Sequence, residues 1–310
     1  MSIKYGRERL IEDAFQAGAC TIELDNTGGE FTPGHTGASY GDSQLINREV
    51  RISSEVVGGS DSYATYLWRG FITDANYVAE QSTSTVYLTS VDGFSRLAGA
   101  SIYNQTFSEE YTGIRVANVL DLASVDYPDE SSPLDRDIDY GSIKASAASG
   151  VTATALDYIQ QLARTENGRF LINQAGTPSA TNFGGIASYY AINASTVDHG
   201  VTISDAVTLA TGSVEAQSLG LEWGSELLYN SYEFTPKSGA VQTGTRAASI
   251  AKYGERVIKR TLLSDTGDSD EAGIYFIGLF DEPALRVSSV VVSIDSATTA
   301  SAERLLHIGV

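Results

Sequence analysis

The chain has 310 residues, 42% of them hydrophobic, with 39 Asp and Glu against 20 Lys and Arg and a formal net charge of −19. That length buries one large core or two to three modest ones, and the hydrophobic content with evenly spread charge describes a folded chain, not a disordered one. The sign of the charge argues against a phosphate-binding surface, since nucleic-acid affinity comes largely from Lys and Arg displacing counterions, although a negative wall lets a duplex slide past.

No run of about 18 apolar residues exists, so membrane insertion is not expected. Met1 to Arg7 lacks the apolar stretch of a Sec signal, and synthesis and folding in a cytoplasm are the expectation. The lone Cys20 has no internal disulfide partner and reads as a small buried side chain. Abundant Thr, Ser, Gly and Tyr with only 6 Pro and 1 Met fit a β-rich chain.

Taken in order, Ala19 to Leu24 alternates small or polar with apolar residues, as a half-buried strand does, and Asp25-Asn26 breaks it. Val50, Ile52 and Val56 share one face of the next strand, Gly58-Gly59-Ser60-Asp61 supplies a turn, and Tyr66, Trp68 and Gly70-Phe71 lead into a third. Thr83 to Val91 alternates again, with Val86 and Leu88 opposed to Tyr87, Thr89 and Val91. The result is an antiparallel meander of four or five strands in about a hundred residues. Gly93-Phe94-Ser95-Arg96-Leu97 lacks the second glycine of a nucleophile elbow and reads as a turn into a short helix over Ser95 to Ala98.

From Thr112, a candidate N-cap, Ile114, Ala117, Val119-Leu120 and Ala123 recur at helical spacing. Asp126 to Asp139 reads as an exposed acidic loop whose carboxylates match no calcium-loop spacing. A second helix is predicted over Thr154 to Thr165, with Thr154 and Asp157 at capping-box spacing and Asn167-Gly168 as a left-handed stop. Strands follow at Arg169 to Asn173 and Ala187 to Ile192, with a turn at Gln174-Ala175-Gly176 between them. Asn230, Tyr232 and Phe234 lie in a further strand, then come a strand over Val257 to Leu262, a helix over Ser269 to Asp281 burying Ile274, Ile277 and Phe280, and a Val-rich strand over Arg286 to Ile294.

Chemistry is sparse in this pattern. His35, His199 and His307 are isolated, and none sits in metal-ligand or triad company. Asp265 to Glu271 lacks the ligand spacing of an EF-hand and reads as helix capping. Gly28-Gly29, Gly58-Gly59 and Gly184-Gly185 lack the Lys or third glycine of a phosphate loop and read as turns. No catalytic, cofactor-binding or metal residue is assigned. A carboxylate pair for glycan cleavage is the feature such a pattern leaves open, and 17 Tyr on a β surface would suit sugar binding.

Three ordered blocks carry a resemblance. The first is Arg7, Arg9, Phe15 to Asn26, Phe31-Thr32-Pro33, Tyr40-Gly41, Val50-Arg51-Ile52 and Trp68 to Ile72, with Phe15, Asp25, Asn26, Phe31, Trp68 and Gly70 as its marking positions. The second runs from Arg136-Asp137-Ile138-Asp139 through the helix at Ala155 to Arg169-Phe170 and Gly176, marked by Gly168 and Gly176. The third is the strand at Asn230 followed by Lys252-Tyr253-Gly254-Glu255-Arg256, an acidic helix, Asp281-Glu282-Pro283 and a strand, marked by Asn230, Tyr253 and Gly254. Together they resemble minor tail proteins of long-tailed bacteriophages, of the baseplate or tail-hub family.

The resemblance implies a mainly β fold with an α+β insertion: two tube-like antiparallel β-barrel or sandwich domains, the first discontinuous over 1–100 and 201–236, an inserted module over 101–200, and a second barrel over 237–310. Relatives run on through another strand past Val310, so the second barrel is expected to be incomplete. It further implies a structural virion protein without enzymatic activity at the distal end of the tail, a trimeric ring contacting the distal tail protein, the tape-measure protein and a tip or fibre protein, with DNA as transient cargo. The other classes weighed against it are a tail-associated cell-wall hydrolase and a carbohydrate- or receptor-binding tail protein.

Overall fold

The computed structural model describes residues 1–6, 16–36, 38, 40, 45–54, 65–79, 83–127, 136–173, 185–191, 202–204 and 213–292. The architecture is mainly β with an α+β insertion, as expected. Five strands open the chain: β1 (Ser2–Gly6), β2 (Gln16–Asp25), β3 (Glu49–Ser54), β4 (Thr65–Ala79) and β5 (Ser84–Val91). They form one antiparallel sheet in the order β1-β2-β5-β4-β3. The alternation seen in the sequence is the burial pattern here: Val86 and Leu88 are buried with Ile72, and Leu24, Phe31, Val50, Ala75 and Tyr77 pack against them. Cys20 is buried in β2, as its company in the sequence suggested. β1 is an added edge strand that no sequence signal marked, and β4 runs well past Ile72 because β5 offers it a partner as far as Ala79↔Ser84.

The middle of the chain is a mixed module. It contains α1 (Phe94–Gly99), β6 (Ser101–Phe107), β7 (Glu110–Tyr111), α2 (Thr112–Leu120), β8 (Arg136–Ile138), β9 (Lys144–Ala145), β10 (Ala148–Thr154), α3 (Ala155–Thr165), β11 (Arg169–Asn173) and β12 (Ile186–Tyr190). Apolar faces of α1, α2 and α3 meet the β11-β12-β8 sheet around Leu97, Val116, Leu120, Ile159, Leu162, Phe170 and Tyr189. α3 starts as its sequence predicted: Thr154 caps it by accepting a hydrogen bond from the Asp157 amide at 3.1 Å. Two local readings differ. Thr112 is the first helical residue of α2 and not its cap, because Tyr111 holds the extended cap conformation after the two-residue strand β7. The acidic segment ends in a strand, β8, which pairs in parallel with β12; local sequence does not encode a partner fifty residues away.

The last third contains β13 (Thr202–Ser204), β14 (Ser213–Gly224), β15 (Ser231–Thr235), β16 (Gln242–Thr245), α4 (Ala247–Tyr253), β17 (Val257–Thr261), α5 (Thr266–Phe280) and β18 (Ala284–Val292). β15 is the centre of the sheet β16-β15-β17, and β14 lies between β13 and β18. Among the described residues β15 is laddered to β16 and β17, and β14 to β13 and β18. An apolar alternation specifies a strand and its faces, not its neighbour.

α5 starts at Thr266, capped by Asp265, which accepts from the Asp268 amide at 3.0 Å. Its buried stripe is Ser269, Ala272, Gly273, Phe276 and Ile277, packed on Tyr232, Phe234, Ile258 and Leu262. Ile277 is where the sequence placed it, Phe280 is partly buried, and Ile274 faces outward at 50% exposure. The helix is apolar on both sides, and spacing alone does not choose between them.

The second and third cores interlock. Ile143 of the middle module enters the later core, and Leu263 enters the middle one. The Glu166 carboxylate joins them, accepting from the Ser142 and Ile143 amides at 2.8 and 3.2 Å and from the Tyr189 hydroxyl at 2.6 Å.

Candidate assembly surface and the motif residues

Most of the sequence-marked residues are joints of the fold. Asn26 is buried where β2 ends: its side-chain oxygen accepts from the Phe31 amide at 2.9 Å, and its Nδ2 donates to Thr32 Oγ1 at 2.9 Å and Ser84 Oγ at 3.4 Å. Asp25 beside it folds the turn by accepting from the Thr27 amide at 2.8 Å, and Phe31 stacks on Tyr40 with ring centroids 5.2 Å apart. Asp25, Asn26 and Phe31 therefore build one loop. Trp68 and Gly70 build another joint, in the interior of β4. Trp68 is fully buried and donates from Nε1 to Ser90 Oγ at 2.8 Å, and a Cβ on Gly70 would sit 2.6 Å from the Val91 carbonyl and 2.8 Å from the Trp68 ring.

Gly168 follows Asn167, which takes the left-handed conformation (φ 56°), and donates to the Ala163 carbonyl at 2.8 Å. The left-handed stop is thus made by the asparagine. Asn230 and Gly254, 24 residues apart, meet: Asn230 Nδ2 donates to the Gly254 carbonyl at 2.8 Å and to Ser249 Oγ at 3.1 Å, while its oxygen accepts from the Arg256 amide at 2.7 Å. Gly254, with φ 79°, gives the turn its left-handed residue next to Tyr253. Phe15 and Gly176 lie outside the described residues, as do Arg7, Arg9, Gly41, Val56, His199 and His307.

Two buried polar groups carried no sequence signal. Asp92 is 1% exposed and accepts from the Gly18 amide at 2.7 Å and the Phe94 amide at 3.0 Å. Burial pushes its carboxyl up to about 7, and the two amide bonds pull the other way. Arg115 of α2 is fully buried, paired with Glu110 at 2.5 Å, bonded to the Tyr158 hydroxyl at 3.0 Å and to the carbonyls of Ser108, Ala145 and Ser146, and placed over the Phe107 ring.

The surface that invites contact is elsewhere. β14 and β18 form an antiparallel ribbon from Ala216↔Val292 to Gly224↔Ala284. Along one face of β14 stand Leu219, Leu221 and Trp223, exposed by 50%, 52% and 69%. Trp223 is in register with Leu285, which is itself exposed. Ser218 and Glu222 on the opposite face are exposed as well, and no layer among the described residues covers the ribbon there. Exposed Leu and Trp in a row are the residue types whose burial stabilises association most.

No protein-family model matches the sequence, and no characterised protein matches it by sequence. Solved structures of similar chain course include a 43 kDa tail protein of prophage MuSo2 from Shewanella oneidensis, with 14% identity over 89% of this chain and 72% of that one and a TM-score of 0.48. A tail protein from Neisseria meningitidis MC58 has 7% identity, coverage of 83% and 65%, and a TM-score of 0.49. Prophage tail protein gp18 from Listeria monocytogenes EGD-e has 10% identity, coverage of 76% and 68%, and a TM-score of 0.39. None of these likenesses assigns the chain to a family.

Among the described residues no group of three or more His, Cys, Asp or Glu is placed to hold a metal ion. Five buried polar residues, Asn26, Asp92, Arg115, Glu166 and Asn230, are bonded to backbone groups of their own fold.

Proposed function

We propose that this chain is a non-enzymatic structural component of a phage-type tail, a hub at its distal end. Three copies form a ring that joins the hexameric tube, or the distal tail protein, to the tip, lies against the tape-measure protein and tip or fibre protein, and lets DNA pass. Two tube-like β units per chain, one over 1–100 and 201–236 and one over 237–310 around a 101–200 insertion, would let three chains answer a sixfold partner. The observation that carries the assembly reading is the exposed Leu219-Leu221-Trp223 stripe on the β14-β18 ribbon, a surface suited to a neighbouring subunit. The tail reading itself comes from the three residue blocks. The net charge of −19 suits a wall that DNA passes without adhering.

Native mass spectrometry of the full chain, alongside a Leu221→Ser, Trp223→Ser double variant, tests this reading. A trimer that the double variant reduces to folded monomers is the expected result. A wild-type chain that stays monomeric, or a trimer indifferent to both substitutions, contradicts it.

A further inference from the structure

Asn167-Gly168 is the only place in the sequence where asparagine precedes glycine. That order carries a chemical hazard. The nitrogen of the following residue attacks the asparagine Cγ, a C–N bond closes a five-membered succinimide, and the side-chain nitrogen leaves as ammonia. Water then opens the ring, giving aspartate or isoaspartate, in which the main chain runs through the side-chain carbon. Glycine in the second position favours the attack because no side chain shields its nitrogen.

The fold imposes this pair. Asn167 stands just beyond α3 in the left-handed region, with φ 56°, which asparagine adopts more readily than most residues with a side chain. Gly168 passes so close to β12 that a Cβ on it would lie 2.7 Å from the Tyr190 carbonyl. The stop of α3 therefore asks for asparagine, and the next position excludes anything larger than glycine.

The same joint restrains both reacting groups. The Gly168 amide donates to the Ala163 carbonyl at 2.8 Å. The Asn167 side-chain oxygen accepts from Arg260 at 2.5 Å, and its Nδ2 donates to the Ala272 carbonyl at 3.3 Å. Ring closure needs the Gly168 proton to depart and the Asn167 Cγ to swing onto that nitrogen, so it competes with all three bonds. Their partners sit on three elements, Ala163 on α3, Arg260 on β17 and Ala272 on α5. Two further contacts keep the joint shut: the Leu263 amide donates to Thr165 Oγ1 at 3.0 Å, and the Arg260 guanidinium lies 4.6 Å from the centroid of the Phe276 ring on α5.

We propose that Asn167 is a latent deamidation site, silent while α3, β17 and α5 are joined and modified when that joint opens. Aspartate at this position lacks the donor that serves the Ala272 carbonyl, and isoaspartate adds a main-chain carbon directly before Gly168, where the Tyr190 carbonyl leaves no room. Opening is thereby recorded in the covalent structure. A chain found outside any tail would carry the same joint, and a hub with an inert Asn167 would still form its ring.

The full chain is incubated at mildly alkaline pH in heavy-oxygen water, which labels each opened succinimide, once folded and once unfolded in guanidinium chloride, and Asn167 is followed by peptide mapping. Conversion in the folded chain is expected to be at least about tenfold slower than in the unfolded one. Arg260→Met, with its fold checked by circular dichroism, should convert at least about tenfold faster than the folded wild type, since a hydrogen bond to a charged donor is worth about that factor. Lys259→Met, which removes the ion pair to Glu233 on the other face of β17, should leave the rate unchanged. Where Arg260→Met does not fold, the wild type in sub-denaturing guanidinium replaces it, and Asn167 conversion should rise in step with hydrogen exchange at the Gly168 amide. Equal rates in the folded and unfolded chains, a folded Arg260→Met that converts no faster than the wild type, or conversion that does not follow Gly168 exchange overturns the proposal.

Discussion

Asp92 is held by the Gly18 and Phe94 amides in a place that water hardly reaches, and burial pushes its carboxyl up to about 7, well above the ordinary carboxylate range. An acid whose folded pKa is raised binds its proton more tightly in the native state than in the unfolded one, so its contribution to stability is intact below about pH 4 and is lost as pH rises through 7. Asn imitates the protonated carboxyl, so thermal melts of the wild type and Asp92→Asn should agree below about pH 4 and diverge as pH rises through 7, the wild type losing up to roughly 4 kcal/mol relative to the variant as its carboxyl ionises. Parallel pH profiles would contradict the burial account. Gly70 is a second single-residue test. An added methyl meets a backbone carbonyl at 2.6 Å and the Trp68 ring at 2.8 Å, neither of which can give way inside the sheet. Gly70→Ala should cost about 2–3 kcal/mol in urea unfolding. Gly99→Ala, where nothing lies within 4 Å, should stay within about 1 kcal/mol of the wild type.

At the scale of elements, α2 carries Arg115, whose buried guanidinium serves Glu110, the Tyr158 hydroxyl and the carbonyls of Ser108, Ala145 and Ser146. Arg115→Met fills similar space but orphans them, and should destabilise the chain by about 3–5 kcal/mol in chemical unfolding. Thr154→Ala removes one cap bond from α3 and should cost about 1 kcal/mol. The contrast shows what was legible. The Thr154 and Asp157 spacing, the alternation of β5 and the strand at Asn230 are short-range patterns, and they fold as they read. Arg115 carried no signal because its partners lie up to 43 residues away, and β8 none because its pairing with β12 is equally remote. In α5, Ile274 and Leu279 are as apolar as the buried Phe276 and Ile277, so the choice of face was made by Tyr232 and Phe234 on β15 and not by the helix. Asn230 was marked as a family position, and the structure adds its reason: it closes the turn through Gly254 and Arg256.

At the scale of the whole molecule, the first sheet has its own small core around Ile72, Val86 and Leu88, whereas the middle and last parts exchange Ile143 and Leu263 and share Glu166. The Leu263 amide also donates to Thr165 Oγ1 at the end of α3, and the β14-β18 ribbon belongs to the last part of the chain. The positions marked by the hub resemblance lie largely in turns and sheet joints, while the exposed Leu219-Leu221-Trp223 stripe was not among them. Exposed stripes read as core in sequence, since Leu and Trp alternate in both settings, and only the absence of a covering layer distinguishes them. The most direct measurement is electron cryo-microscopy of intact particles with this chain tagged and located. Three copies in a ring at the distal tail end, with Leu221 and Trp223 covered by a neighbouring subunit, is the predicted result. Particles that lack the chain, or contain it only as isolated copies with the ribbon open to solvent, would contradict the account.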